Sequence, residues 1–351
     1  MAEKVVVGLS GGVDSSVAAY LLKKQGYDVI GVTMHMWQPK GNTEEPASIA
    51  DARRVAEVLD IPYYVCDFQE VFETKVIDYF VEEYLQGRTP NPCTTCNRFV
   101  KWEALLERCR ELGADYIATG HYAKICQLPN GRYTIKTSQA SAKDQTYALY
   151  NLTQEQLAHT LMPIGEYTKD EIRQIAIEAN LPVAQKKDSM EICFIPDNDY
   201  ASFIEEKAQG RVPGPGNFVT KDGTVIGQHK GITHYTIGQR KGLNLAMGHP
   251  VFVTQICPKT GDVVIGENED VFSNTLICDK VNFMGMENLD EPRKVVAKIR
   301  YAHKGEVCLL EKINETQIRC TFENPVRAVT PGQAVVFYEQ DYVLGGGTII
   351  E

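Results

Sequence analysis

Val5-Val6-Val7-Gly8-Leu9-Ser10-Gly11-Gly12-Val13-Asp14-Ser15-Ser16 is the stretch on which the reading of this chain turns. An apolar run, long enough for one buried strand, breaks into Ser-Gly-Gly and then resumes with the helical spacing Val17, Ala18, Tyr20, Leu21, Leu22. Glycine reaches backbone angles closed to other residues, so a strand that turns on two glycines can aim several N–H groups at one anion. The helix start adds the positive end of its dipole, and Ser10, Ser15 and Ser16 add hydroxyl donors. This is a phosphate cradle of an uncommon kind. Nowhere does Gly, four residues, then Gly-Lys-Ser/Thr occur, so the lysine of that commoner loop has no counterpart. A glycine turn needing no ligand is the plain alternative; Asp14, the serines and the strand before them favour a nucleotide.

Outward from this loop, the first two hundred residues alternate between the two periods. Strand-like runs cover 4–9, 28–33, 63–66 and 116–119, and helical patterns cover 14–25, 48–59, 71–85 and 99–112. The alternation predicts an α/β domain with a doubly wound parallel sheet, whose ligands bind beyond the carboxyl ends of its strands. Thr168 and Glu171 form a capping box that starts a further helix, running to Asn180. Near Gly210 the texture changes, and Arg211-Val-Pro-Gly-Pro-Gly-Asn217 reads as a turn-rich boundary. Short β-rich runs follow at 218–220, 224–226, 251–255, 263–265, 307–311, 317–322 and 334–338. The expected division is a nucleotide-binding catalytic domain over 1–208, a central β-rich domain over 209–272 and a C-terminal β-barrel over 273–351.

Composition narrows the function classes. The chain of 351 residues suits two or three domains, and its apolar runs fall short of the roughly 20 residues that span a bilayer. Met-Ala-Glu-Lys leads straight into the first strand, leaving no room for a signal peptide, so a cytoplasmic protein with no membrane partner is expected. Ten cysteines in a reducing compartment point to metal or redox chemistry before a disulfide scaffold. A net charge of −10 argues against holding nucleic acid by bulk attraction. Residues 223–261 and 292–305 nevertheless lack Asp and Glu while carrying Lys, Arg and His, which suits a polyanion held at defined places.

Ser10-Gly-Gly-Val-Asp-Ser15 resembles the pyrophosphate (PP) loop of ATP pyrophosphatases, which cleave ATP between its α and β phosphates. Six further segments follow in order: Gly87-Arg-Thr-Pro-Asn-Pro-Cys-Thr-Thr-Cys-Asn97, Thr119-Gly-His-Tyr122, Lys143-Asp-Gln145, Asp188-Ser-Met-Glu-Ile-Cys-Phe194, Tyr235-Thr-Ile-Gly-Gln-Arg-Lys-Gly-Leu243 and Pro331-Gly-Gln-Ala-Val335. Together they resemble the bacterial tRNA-specific 2-thiouridylase (MnmA) family across essentially the whole chain. The resemblance implies ATP-dependent sulfur delivery to C2 of the wobble uridine, position 34, in tRNAs for Lys, Glu and Gln. It implies that Gly8, Leu9, Ser10, Gly11, Gly12, Val13, Asp14 and Ser15 bind ATP together with Met34 and Gly120. Cys193 matches the cysteine that carries persulfide sulfur, and Cys96 the nucleophile that forms a disulfide with it. Asn91, Pro92 and Cys93 would meet the base, while His121, Lys143, Asp144, Gln145, Arg300, Tyr301 and Gln333 match tRNA contacts. His121 after a strand also reads as a structural residue. Alternation puts Lys298 and Arg300 on one strand face and Ile299 and Tyr301 on the other.

The chemistry is sensible apart from the name. A uracil C2 carbonyl is a poor electrophile with a poor leaving group; AMP on its oxygen makes a far better one for an attacking sulfur. Asp14 suits Mg²⁺ near pyrophosphate, or caps the helix that follows. A thiol with an ordinary pKa of about 8.5 is only a few per cent thiolate at neutral pH, so a neighbouring cation matters; Lys186, Lys187 and Arg98 lie near in sequence. One departure stands out: much of the family has aspartate where this chain has Cys93, which creates Cys93-x-x-Cys96. With Cys193 these thiols suit three irons of a [4Fe–4S] cluster, part of a zinc site, or a persulfide–disulfide cycle without metal. The other seven cysteines read as structural. The expected partners are the anticodon arm of tRNA and an upstream cysteine desulfurase or sulfur-relay protein, with the enzyme a monomer. An ATP-dependent amide ligase shares the loop but needs neither the thiols nor the basic β-rich modules, and a nonenzymatic RNA-binding protein leaves the loop without a role.

Overall fold

The computed structural model describes residues 2–39, 41, 43–140, 143–187, 192–195, 197 and 199–351. Its first sheet is five-stranded and parallel, with β1 (Lys4–Gly8) at the centre, β2 (Asp28–His35) and then β3 (Tyr63–Asp67) on one side, and β4 (Tyr116–Ala118) and a two-residue strand, Thr160–Leu161, on the other. Helices cover both faces, which is why β1 is a continuous apolar run rather than an alternating one. Val5 and Val7 face α1 (Val13–Lys24), α2 (Ala47–Leu59) and a later helix, Lys169–Glu178, whereas Val6 faces Trp102, Leu105 and Leu106. Thr168 caps that later helix, its side chain accepting from the Glu171 N–H in a complete capping box.

Two further helices carry the chemistry-bearing loop. A helical run over 69–85, π-wound at Glu73–Ile77, ends shortly before a second over 92–111. The second begins seven residues earlier than its apolar period suggests. Asn91 accepts the Cys93 N–H at 3.0 Å and Pro92 takes the first helical position, where its missing N–H leaves nothing unsatisfied. Asn91-Pro92-Cys93 is therefore a helix start. The helix is π-wound over Asn97–Ala104 before it returns to α geometry.

Beyond Tyr200–Ala208 the fold becomes β. The central module is a sheet of four strands, Phe252–Cys257, Asp262–Gly266, Gly216–Val219 and Val225–His229 in spatial order. The C-terminal module is a six-stranded barrel of Phe272–Phe283, Ile318–Arg327, Glu306–Lys312, Arg293–Lys298, Ala334–Glu339 and Tyr342–Ile349, closed by pairing of the first with the last. Cys278, Cys308 and Cys320 are buried in its core. A hairpin of the first domain, Lys124–Gln127 with Tyr133–Lys136, extends the barrel sheet through Lys136 and Tyr342. The seam is polar as well as apolar. Arg132 donates to the carbonyls of Met284 and Phe283 at 2.8 and 3.0 Å, Asn282 to those of Tyr150 and Leu152 at 2.9 and 3.0 Å, and the Tyr147 hydroxyl to Ala334 O at 2.8 Å. Met284, Val336, Tyr338 and Val343 of the barrel join the same buried cluster as Trp102 and Leu105 of the first domain. No helix among the described residues is long and apolar enough to cross a membrane.

Candidate functional site

The glycine loop leaves β1 at Gly8 and enters α1 at Val13, with Gly12 as the residue before the helix. Its serines organise it. Ser10 N–H donates to Ser15 Oγ at 3.1 Å, the two hydroxyls stand 3.1 Å apart, and Ser16 Oγ donates to Gly12 O at 2.7 Å. The first-turn N–H groups of Val13, Asp14 and Ser15 have no intrahelical acceptor, which makes this end an anion site by construction. Gly11 sits at φ +66°, and a Cβ there would lie 2.2 Å from Ser48 O. Gly120, just past β4, would bring a Cβ within 2.5 Å of Ser15 N. Met34, near the end of β2, reaches to 3.4 Å from where a Gly8 Cβ would stand. The expected nucleotide residues thus gather at the carboxyl edge of three adjacent strands.

Asp14 is not the helix cap; Gly12 occupies that position and Asp14 is the second helical residue. Its carboxylate accepts from Lys169 Nζ at 2.8 and 2.9 Å and from the Tyr122 hydroxyl at 2.9 Å. Both oxygens are engaged and the charge is balanced, so as arranged Asp14 does not fit an inner-sphere Mg²⁺ ligand. Lys186 Nζ donates to Gly11 O at 2.9 Å and to Asp51 at 2.6 Å, and it holds the Asp51 carboxyl below its usual range. The cation missing from the loop's own sequence is thereby supplied by two lysines more than 150 residues away. A sequence pattern carries no signal for that, because only the packing of Lys169–Glu178 on α1 and the return of the chain near 186 create it.

The thiols lie at the same edge. Cys96 is 7% exposed, and its Sγ is 3.9 Å from Met36 Sδ, just beyond β2. Burial pushes its thiol up to about 12, with Lys101 opposing and Cys193 and Cys93 adding to the rise. Cys193 is exposed at its turn yet recessed among enough protein that desolvation raises its thiol too, again against Lys101. Cys93 is exposed on the first turn of its helix. The three cysteines are near enough to influence one another, but one points into the core and two face solvent. Among the described residues no group of three His, Cys, Asp or Glu side chains converges on a metal position, so the arrangement does not fit a three-thiol cluster or zinc site. Asp188–Glu191 of the Cys193 motif lie outside the described residues.

Lys101 is the residue that the sequence reading missed. Arg98, expected near the thiols, instead donates to Asn151 O at 2.9 Å and Gln156 Oε1 at 3.2 Å, and Lys186 is held at Gly11. On an α-helix a residue five places on lies well round the cylinder from its starting point. The π winding of Asn97–Ala104, with its i→i+5 bonds, turns Lys101 back toward the Cys96 side, near enough to favour its thiolate. Alkylation of Cys96 in the RNA-free protein should therefore rise roughly tenfold per pH unit from 7 to 10 with no plateau, as for any thiol whose pKa lies above the range. Lys101→Met should slow it further, since the lost cation favoured thiolate. Peptide mass spectrometry of iodoacetamide-labelled protein measures both, and a plateau below pH 9 would contradict the burial described.

The expected RNA contacts divide. His121 is 9% exposed, meets Trp102 at a tilt with ring centroids 5.3 Å apart and hydrogen-bonds Thr119 Oγ1 at 2.8 Å through Nδ1; burial keeps it neutral. Asp144 accepts from Ser138 N–H at 3.0 Å, and Gln145 Oε1 accepts from Tyr122 N–H at 2.9 Å, so both shape their own loop. Tyr301 is 50% exposed and meets Tyr147 edge-on at 6.3 Å, which brings the barrel's Arg300–Tyr301 pair to the Lys143–Gln145 segment. The strand ends at Lys298, so the expected alternation does not extend to Tyr301: Ile299 is buried while Arg300 donates to Arg327 O at 2.7 Å. Gln333 faces Thr89 of the first domain.

Three family models match the chain: a tRNA methyl transferase HUP domain over residues 3–197, a tRNA methyl transferase PRC-barrel domain over 201–267 and an aminomethyltransferase beta-barrel domain over 273–349. Among curated relatives, a protein of Lachnoclostridium phytofermentans named tRNA-specific 2-thiouridylase MnmA is 60% identical, covering 99% of this chain and all of the relative. Relatives of the same name from Clostridium perfringens and Clostridioides difficile are 56% and 52% identical, each matching 99% of this chain and 98% of its own length. Among solved structures, a 4-thiouridine synthetase–RNA complex with bound ATP covers 60% of this chain and 51% of its own at 17% identity and a TM-score of 0.35, a likeness too distant to carry function.

Proposed function

This chain belongs to the tRNA-specific 2-thiouridylase (MnmA) family, and from that premise we propose that it converts uridine 34 of tRNAs for Lys, Glu and Gln to 2-thiouridine with ATP. ATP binds at Gly8–Ser15 with Met34 and Gly120, and the C2 oxygen of the base attacks the α phosphate. Pyrophosphate leaves toward the Gly11–Ser15 N–H groups, with Lys169 and Lys186 beside them. Cys193 carries a persulfide. The Cys96 thiolate attacks its inner sulfur, a Cys96–Cys193 disulfide forms, and hydrosulfide departs. Hydrosulfide adds at C2, AMP leaves with the bonding pair and the former carbonyl oxygen, and the C=S bond forms with loss of a proton. A thiol reductant then resets the disulfide.

One observation carries this reading: Cys96 touches Met36, two residues from the Met34 that abuts the nucleotide loop. Adenylation and sulfur attack therefore share one sheet edge. Uridine 34 lies in a loop, where it can be unstacked and read at its edge. The anticodon arm would lie across the Lys143 segment and Arg300–Tyr301, with the enzyme acting as a cytoplasmic monomer supplied by a cysteine desulfurase or relay protein. An amide ligase would leave the clustered thiols without work. Incubation with unmodified tRNA, ATP, Mg²⁺, a cysteine desulfurase and cysteine, followed by nucleoside analysis, should yield 2-thiouridine with AMP and pyrophosphate. No 2-thiouridine, with persulfide on Cys193 verified by mass, would overturn the proposal.

A further inference from the structure

Residues 87–91 join the helical run 69–85 to the helix that carries Cys93 and Cys96, and both C-terminal modules grip them. Arg88 is held back to the buried Glu83, with Nε donating to its carboxylate at 2.7 Å. Thr89 N–H donates to Pro331 O of the barrel at 2.9 Å, and Thr89 O accepts from Gln333 Nε2 at 2.7 Å. Both backbone groups of one residue are thus taken by a single turn of the barrel. That turn is itself braced by Gly332 N–H to Ile349 O and Ile349 N–H to Gln333 O, each at 2.8 Å. Gly332 is at φ +91°, and a Cβ there would lie 3.0 Å from both N and C of Thr89, so the approach depends on the missing side chain. From the central module, Thr236 Oγ1 stands 3.3 Å from Thr89 Oγ1.

We propose that the Pro331–Gln333 turn positions the sulfur-transfer helix through Thr89, so that a contact on the barrel sets how far Cys96 is withdrawn into the core. The proposal builds on the thiouridylase reading above. Cys96 is buried against Met36, so the reach of its thiol depends on where its helix starts. Thr89 lies seven residues before Cys96 and is the point where all three modules meet. The clasp on Thr89 thereby fixes where the helix carrying Cys93 and Cys96 begins, and with it how far Cys96 is withdrawn into the core. Gln333 is a positioning residue in this scheme, acting through Thr89.

Gln333→Glu keeps the side-chain length but loses the donor, so it tests the clasp without opening a cavity. In RNA-free protein, iodoacetamide labelling of Cys96 and amide hydrogen exchange at Thr89 should both rise roughly three- to tenfold, the change expected for one lost hydrogen bond. Labelling of the buried Cys109, outside the clasp, serves as the measure of general loosening and should not change. Unchanged Cys96 labelling and Thr89 exchange would overturn the proposal, as would an equal rise at Cys109. A variant with wild-type labelling but weakened tRNA binding would likewise overturn it, leaving Gln333 as an RNA contact alone. Because these readouts need no thiolation, failure of the clasp is distinguishable from failure of the enzymatic assignment.

Discussion

Cys193→Ser is expected to abolish 2-thiouridine formation, by roughly a thousandfold or more, while adenylation of the base continues within about threefold of wild type. A hydroxyl cannot hold sulfane sulfur, so no hydrosulfide is released and the activated base has no sulfur to accept. Cys193 stands at an exposed turn outside the nucleotide loop, so its loss leaves the Gly8–Ser15 cradle as it is. Single-turnover assays that follow pyrophosphate release beside nucleoside analysis separate the two half-reactions. Thiolation above a tenth of the wild-type rate would exclude Cys193 as the carrier. Equal loss of both half-reactions would mean that Cys193 shapes the site rather than feeding it.

The second large effect is expected at Gly11. Alanine there must adopt φ +66°, which costs about 1 kcal/mol, and its Cβ must displace Ser48 O from 2.2 Å, which no side-chain rotation relieves. Either the loop or the first turn of α2 moves, and the N–H groups that should converge on pyrophosphate no longer do. ATP affinity should fall at least about a hundredfold, equivalent to two lost charge-assisted hydrogen bonds. Gly26→Ala provides the comparison: φ is +93°, but nothing lies within 4 Å of the added carbon. Titration calorimetry with ATP should leave Gly26→Ala near wild type. If both variants bind ATP alike at equal melting temperature, the loop is not the nucleotide site.

The parallel domain was legible because a strand buried on both faces, two glycines and a helical period are all local signals. Val5–Ser16 reads the same in sequence and in space. The helix start at Pro92 was hidden because Asn91 and Pro92 also suit a stiff loop, and only the Cys93 N–H on Asn91 tells the two apart. Lys101 was hidden for a different reason: an α-helical period sends the fifth residue off the face, and nothing in Asn97–Ala104 announces π winding. The hairpin Lys124–Gln127/Tyr133–Lys136 and the strand Tyr342–Ile349 went unread because they are short, or carry three consecutive glycines that mask β propensity. Asp14, Lys169 and Tyr122 form a constellation only after folding, so no spacing rule could have joined them.

The hairpin lent by the first domain to the barrel has a practical consequence for anyone dissecting the chain. Beads on a string come apart at their linkers; these do not. Cutting near residue 272 would strip Met284, Val336, Tyr338 and Val343 from a shared apolar interior and orphan the carbonyls that Arg132 and Asn282 now satisfy. The excised barrel would expose that surface to water, and the truncated remainder would lose one wall of its own core. The first domain and the barrel thus belong to a single cooperative unit, to be kept or lost together.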